Sequence, residues 1–172
     1  MATNQALVEA IYAILRGSDA VALPAYNPLL GLQVVRAADA LVITVSPGDP
    51  YFTVAGGMVA ITSLVGYITV APGGANTLSF ELNPTVAAGA NVVFCTPTDV
   101  GTTGVEGDVI TMDGLPGSAL VCAHRATNPS FLRPVICAPG VIGCVITAAL
   151  GTVRWVLHYF PIDAGATVVA IP

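Results

Sequence analysis

Reactive chemistry in this chain has to come from four cysteines, two histidines and ten acids, because among its 172 residues there are five arginines and no lysine. The cysteines are Cys95, Cys122, Cys137 and Cys144, spaced 27, 15 and 7 residues apart. A zinc site draws on closely spaced Cys or His pairs, and this spacing offers none. Each cysteine falls in a segment rich in β-branched residues. A free cysteine packs as a small hydrophobe, so four buried thiols are expected. Cys137 and Cys144 flank one expected turn in a diagonal register, which disfavours a disulfide between them.

The histidines offer little more. His124 precedes Arg125 in a loop with Asn128 and Pro129, and His158 lies within an apolar strand pattern. A nucleophilic triad needs a serine or cysteine, a base and an orienting acid. Gly114-Leu115-Pro116-Gly117-Ser118 is not the Gly-x-Ser-x-Gly turn that exposes such a serine. The histidines are therefore expected in solvent or at an interface. Asp99, Glu106 and Asp108 could offer oxygen ligands to calcium, but their spacing is not that of an EF-hand loop. A solvated, flexible glycine-rich turn is expected there. Pro72-Gly73-Gly74-Ala75-Asn76 lacks the Lys-Ser/Thr of a phosphate-binding loop. The acids are scattered mostly in turns, so no carboxylate pair for glycoside hydrolysis can be named. The chain reads as non-enzymatic, with no catalytic residue, cofactor or metal.

The elements that would position these residues are mostly strands. One helix is expected, Thr3 to Arg16, with Leu7, Val8, Ile11, Ile14 and Leu15 on one face. Thr3 or Asn4 caps its start, and Gly17 ends it. Ser18 to Ala40 reads as an extended connector. From Leu41 onward, short strands rich in Val, Ile and Thr follow one another, separated by turns such as Pro72-Gly73-Gly74 and Pro139-Gly140. Leu41–Val45, Tyr51–Val54, Leu78–Leu82 and Val92–Thr96 are among them. Val59–Thr62 and Gly66–Thr69 echo one another and read as two neighbouring strands. Phe131–Ala148 reads as a hairpin around a type II turn. In Thr152–Tyr159, Val153, Trp155, Leu157 and Tyr159 share one face, assigned to the core. Regularly spaced strands without intervening helices predict a mainly β protein, an antiparallel β-sandwich or barrel with one N-terminal α-helix. The division expected is an N-terminal helix and arm over residues 1–49 and a β-domain over residues 50–172.

Composition limits the partners. Only 9% of residues are charged and 55% are apolar, with a net charge of −5. An acidic balance argues against nucleic acid, which calls for a basic footprint. The charge-free stretches Pro50–Phe80 and Pro134–Val153 are broken by Gly and Pro, so strands rather than a membrane helix are expected. So few charges cannot cover a soluble monomer, whose surface is usually about 25–35% charged. Other copies or partners are expected to cover part of it.

Several segments carry a resemblance. Tyr51-Phe52-Thr53-Val54, Gly57–Thr62, Gly66–Thr69, Asn83-Pro84-Thr85, Asp108-x-Ile110-Thr111 and the tail Gly151-Thr152-Val153-Arg154-Trp155-x-Leu157-x-Tyr159-x-Pro161 together resemble small β-rich virion proteins of tailed bacteriophages. The likeness spans about residues 50–172. It implies a capsid decoration or auxiliary head protein, a homo-oligomer and often a trimer, that binds the major capsid protein or other virion proteins. It also implies a virion location, with assembly in the host cytoplasm. Leu7, Ile11, Tyr12, Ile14 and Leu15 are the residues expected to dock. Alternatives are another phage component (tail, connector, or head spike or fibre) or a receptor- or glycan-binding module.

Overall fold

The computed structural model describes residues 31–85, 91–112, 118–123, 134–148 and 151–172. The helix expected over Thr3–Arg16, the docking residues Leu7, Ile11, Tyr12, Ile14 and Leu15, and His124 lie outside them.

The strand richest in alternating apolar residues organises the first sheet. β11 (Thr152–Pro161) lies between β1 (Leu32–Ala40) and β3 (Val59–Val70), antiparallel to both. The sheet continues through β7 (Val109–Thr111) to β8 (Val121–Ala123), while β9 (Val135–Cys137) pairs with the other end of β3. The second sheet runs β12 (Thr167–Ala170), β2 (Thr44–Ala55), β10 (Gly140–Ile146), β4 (Thr77–Pro84), β5 (Val92–Val93), and β6 (Thr98–Asp99) also pairs with β4. Both sheets are antiparallel and open at their edges, so the chain does not close into a barrel. No helix occurs among the described residues, hence none long and apolar enough to cross a membrane.

The two sheets share one core. Trp155 from β11 meets Phe80 of β4 edge-on, with ring centroids 4.8 Å apart, and Tyr51 of β2 at 6.2 Å. Such tilted pairings favour contact between ring edge and ring face. Val153, Leu157 and Tyr159 are buried with Trp155, as their alternation predicts. Tyr51 and Phe52 are adjacent, yet both are buried. A β-bulge accounts for this. Ile142 of β10 pairs with Phe52 and Gly143 pairs with Pro50, which leaves Tyr51 as the extra residue turned into the core.

Three local expectations are corrected. Leu32–Ala40 is no connector; it is strand β1, with Leu32, Val34 and Arg36 opposite the core-facing Tyr159, Leu157 and Trp155. Val59–Val70 is one continuous strand rather than two. Gly66 does not break it, because the glycine makes room for the Trp155 ring paired opposite. Phe131–Ala148 is not a hairpin. β9 joins the first sheet and β10 the second, so the Pro139-Gly140 bend carries the chain across the core. Cys137 and Cys144 are therefore in different sheets.

Candidate functional site

Among the described residues, a charge cluster centred on the buried Arg36 lies where the edge strands β1 and β12 come together. Arg36 is 4% exposed. Its Nε donates to the Ile171 carbonyl at 3.1 Å and its Nη2 donates to Asp39 Oδ2 at 3.0 Å. The Asp49 carboxylate is 4.0 Å away. The guanidinium carbon sits 4.0 Å from the centroid of the Tyr51 ring, whose face attracts a cation. Nη1 is buried and without a hydrogen-bond partner. Ile171 in turn donates its N–H to the Tyr51 carbonyl at 2.9 Å. The cluster thus bolts the C-terminal strand to the first sheet. The sequence signal for it is a lone arginine in a core-facing position of the pattern Leu32-x-Val34-x-Arg36, inside the segment expected to be an extended connector.

The Tyr51 hydroxyl beside Arg36 and the buried thiols are held in their neutral forms. Burial pushes the Tyr51 hydroxyl far above its usual range; neighbouring Cys144 adds to this and Arg36 opposes it. Burial likewise raises the Cys144 thiol, with Cys95 next in weight. Cys95 is raised by burial although its Sγ accepts the Phe80 N–H at 3.3 Å. Burial pushes Cys137 up to about 12, and Cys122 is raised by burial and then by Asp108. Cys95, Cys137 and Cys144 are buried, as expected, while Cys122 is half-buried, and all four are free thiols. Nucleophilic attack and metal binding both use the thiolate, and these surroundings suppress it. Burial also lowers His158, whose Nδ1 is shielded and unpartnered. No group of three or more His, Cys, Asp and Glu side chains among the described residues is arranged to hold a metal.

The acidic loop differs from the solvated, flexible turn expected of it. Asp99 Oδ1 accepts N–H groups of Asn76, Gly101 and Thr102, and Oδ2 accepts the Thr102 hydroxyl. These bonds, that of the Thr102 hydroxyl foremost, hold the carboxyl down at about 2. Asp108 is buried, and its Oδ2 accepts the Val105 N–H at 3.0 Å. Val100, Gly101 and Gly104 are buried with it. Asp99 and Asp108 fold the loop onto β3 and β4; this is the local work of Asx turns.

The chain matches no family model, no curated protein and no solved structure.

Because no reactive constellation is assembled in the described residues, the exposed surface becomes the candidate. Fourteen large apolar side chains are exposed there, more than the nine charged residues of the same segments. Several of them belong to strands of the second sheet. Residues 45–48 swing out of β2 and pass over β10 at Gly143, where any side chain would collide with the Pro47 carbonyl. Asn91 Nδ2 holds the excursion by donating to Ser46 Oγ at 2.8 Å and to Glu81 Oε1 at 3.3 Å. Val45, the residue before Ser46, is 81% exposed, and Val92 and Val93, which follow Asn91 in the chain, are exposed too.

Proposed function

We propose that the chain is a non-enzymatic virion structural protein that decorates and stabilises a phage head by binding the major capsid protein lattice as a homo-oligomer. The observation that carries this is the number of exposed large apolar side chains on a two-sheet antiparallel body. Monomeric soluble proteins seldom show large contiguous apolar patches, and such patches mark interaction sites. Obligate assembly interfaces are more apolar than ordinary surface. The antiparallel two-sheet architecture is compatible with the virion resemblance of residues 50–172. In this proposal the β-domain, a sandwich with an N-terminal helix, forms the oligomer, and the segment with Leu7, Ile11, Tyr12, Ile14 and Leu15 reaches the lattice. The burial of Trp155, the sole tryptophan, in the core leaves few aromatics for a glycan groove, which favours assembly over a carbohydrate-binding module.

The test is immunogold electron microscopy of particles produced from the genome that carries this sequence. Regular label over the head is expected. Label confined to the tail would replace decoration with a tail role, and unlabelled particles would end the virion proposal. Deleting residues 1–17 should leave the near-ultraviolet circular dichroism intact and abolish head labelling.

A further inference from the structure

We infer that one buried water molecule bridges Arg36 Nη1 and Trp155 Nε1, a binding site in the core that ties the central tryptophan to the seam between β1 and β12. Both nitrogens are donors, both are shielded from solvent, and neither has a hydrogen-bond partner in the protein. Arg36 is 4% exposed and Trp155 1%. Buried N–H groups in native proteins are nearly always paired, either with the protein or with ordered water. Two orphan donors far apart would need two explanations, but these two are neighbours. Arg36 of β1 and Trp155 of β11 are direct cross-strand partners, so their side chains leave the sheet side by side on its core face.

The orientation of the indole turns its N–H towards Arg36. Gly66 of β3 lies on the other flank of β11, and a Cβ there would meet Cζ3, Cη2 and Cε3 of Trp155. Those three atoms form the benzo edge of the ring. The indole is rigid and planar, so the opposite edge, which carries Nε1, faces away from β3 and towards β1. The Arg36 guanidinium lies over the Tyr51 ring, 4.0 Å from its centroid, and that centroid is 6.2 Å from that of the indole. Nε and Nη2 of Arg36 are already engaged by Ile171 and Asp39. Nη1 is the arm left over.

Charge selects the ligand. Two N–H donors repel a cation. An anion would be a third negative group around one guanidinium, whose Nη2 already faces the Asp39 and Asp49 carboxylates at 3.0 and 4.0 Å. The site therefore calls for a neutral acceptor. Tyr51 packs on the guanidinium, and Phe80 packs on the indole with ring centroids 4.8 Å apart, which restricts that acceptor to a small one. Water fits: it accepts from both nitrogens and keeps two hydrogens to give, and buried waters typically make about three hydrogen bonds. The Asp49 carboxylate and the Ile171 carbonyl, both beside the guanidinium, can accept them.

The site is tested by NMR on the isotope-labelled full chain. Trp155 is the only tryptophan, so its indole proton gives a single resonance. Wild type should show cross-peaks between this proton and water that are opposite in sign in laboratory-frame and rotating-frame Overhauser experiments, the mark of a water held far longer than surface hydration. Y51F removes a neighbouring hydroxyl that could relay the same signal by proton exchange, and keeps the ring; its cross-peaks should persist. R36M keeps an unbranched stem without the donors; it should retain the near-ultraviolet spectrum and lose the cross-peaks. Should R36M fail to fold, the wild-type and Y51F spectra still decide. Replacing sulfate by chloride at constant ionic strength should leave the indole resonance in place. Missing cross-peaks in wild type, their loss in a folded Y51F, their survival in a folded R36M, or a saturable shift with chloride would each overturn the bridging water, the last in favour of a bound anion. None of these results touches the immunogold test of the virion role.

Discussion

Replacing Gly66 with alanine asks how firmly the aromatic centre of the core is held. A Cβ at this position would lie 2.6 Å from Trp155 Cζ3 and 2.8 Å from Cη2, well inside contact distance. The indole cannot retreat, because Phe80 meets it edge-on from the opposite sheet and Tyr51 flanks it. Overpacking of this kind costs about 1–3 kcal/mol. Removing a glycine from a strand interior returns about 0.5–1 kcal/mol through the unfolded chain. The net loss is about 1–2 kcal/mol. At about 2–4 °C per kcal/mol for a chain of this size, G66A should melt roughly 2–8 °C lower. The assay is thermal and urea unfolding followed by circular dichroism, with tryptophan emission as a local probe, since Trp155 is the only source. A double-mutant cycle with W155F isolates the contact. The smaller ring gives the new methyl group space, so the cost of G66A should shrink by about 1 kcal/mol in that background. A G66A protein as stable as wild type, or strict additivity with W155F, would refute the account of Gly66 as the seat of the indole.

Three other outcomes follow from the same geometry. R36A should lower stability by about 2–3 kcal/mol, less than the 3–5 typical of a fully buried pair because Asp39 remains half in solvent; a urea midpoint within error of wild type would contradict it. At pH 8, a thiol reagent followed by peptide mass spectrometry should label Cys122 first, with Cys95, Cys137 and Cys144 labelled only on unfolding; early labelling of Cys137 or Cys144 would contradict their burial. The Asp99 carboxyl is held below its unfolded value of 3.8, so its contribution is complete above that pH and is lost as pH falls towards about 2. The stability of D99N should therefore depend less on pH than that of wild type between pH 4 and 2, measured by melting at each pH; parallel curves would be inconsistent with the capping role.

How much of this was legible in the sequence depended on whether the controlling interaction was local. The core face of Thr152–Tyr159 could be read because strict alternation reports burial directly. β1 was missed because Arg36 occupies a core-facing position, and its burial depends on Asp39, Tyr51 and the Ile171 carbonyl, which lies 135 residues away. Gly66 read as the start of a second strand; its reason is a ring on the neighbouring strand. Pro139-Gly140 announced a bend correctly, but turn chemistry cannot say whether the chain returns to the same sheet or leaves it. The acidic loop carried its turn signals openly, although its packing against Asn76 did not show. Where the exposed apolar residues lie required the strand register, because which face of a strand is covered is set by its neighbours.

The order in which strands enter the two sheets has a consequence for biosynthesis. β1 and β3 never touch as neighbours; each waits for β11 to slide between them, and that strand begins 112 residues after β1 ends. Until Thr152–Pro161 leaves the ribosome, a nascent chain carries two long ribbons with open hydrogen-bonding edges and half of an unfinished interior. Such a molecule ripens late and all at once, and crowded nascent copies are at their most adhesive just before that strand arrives.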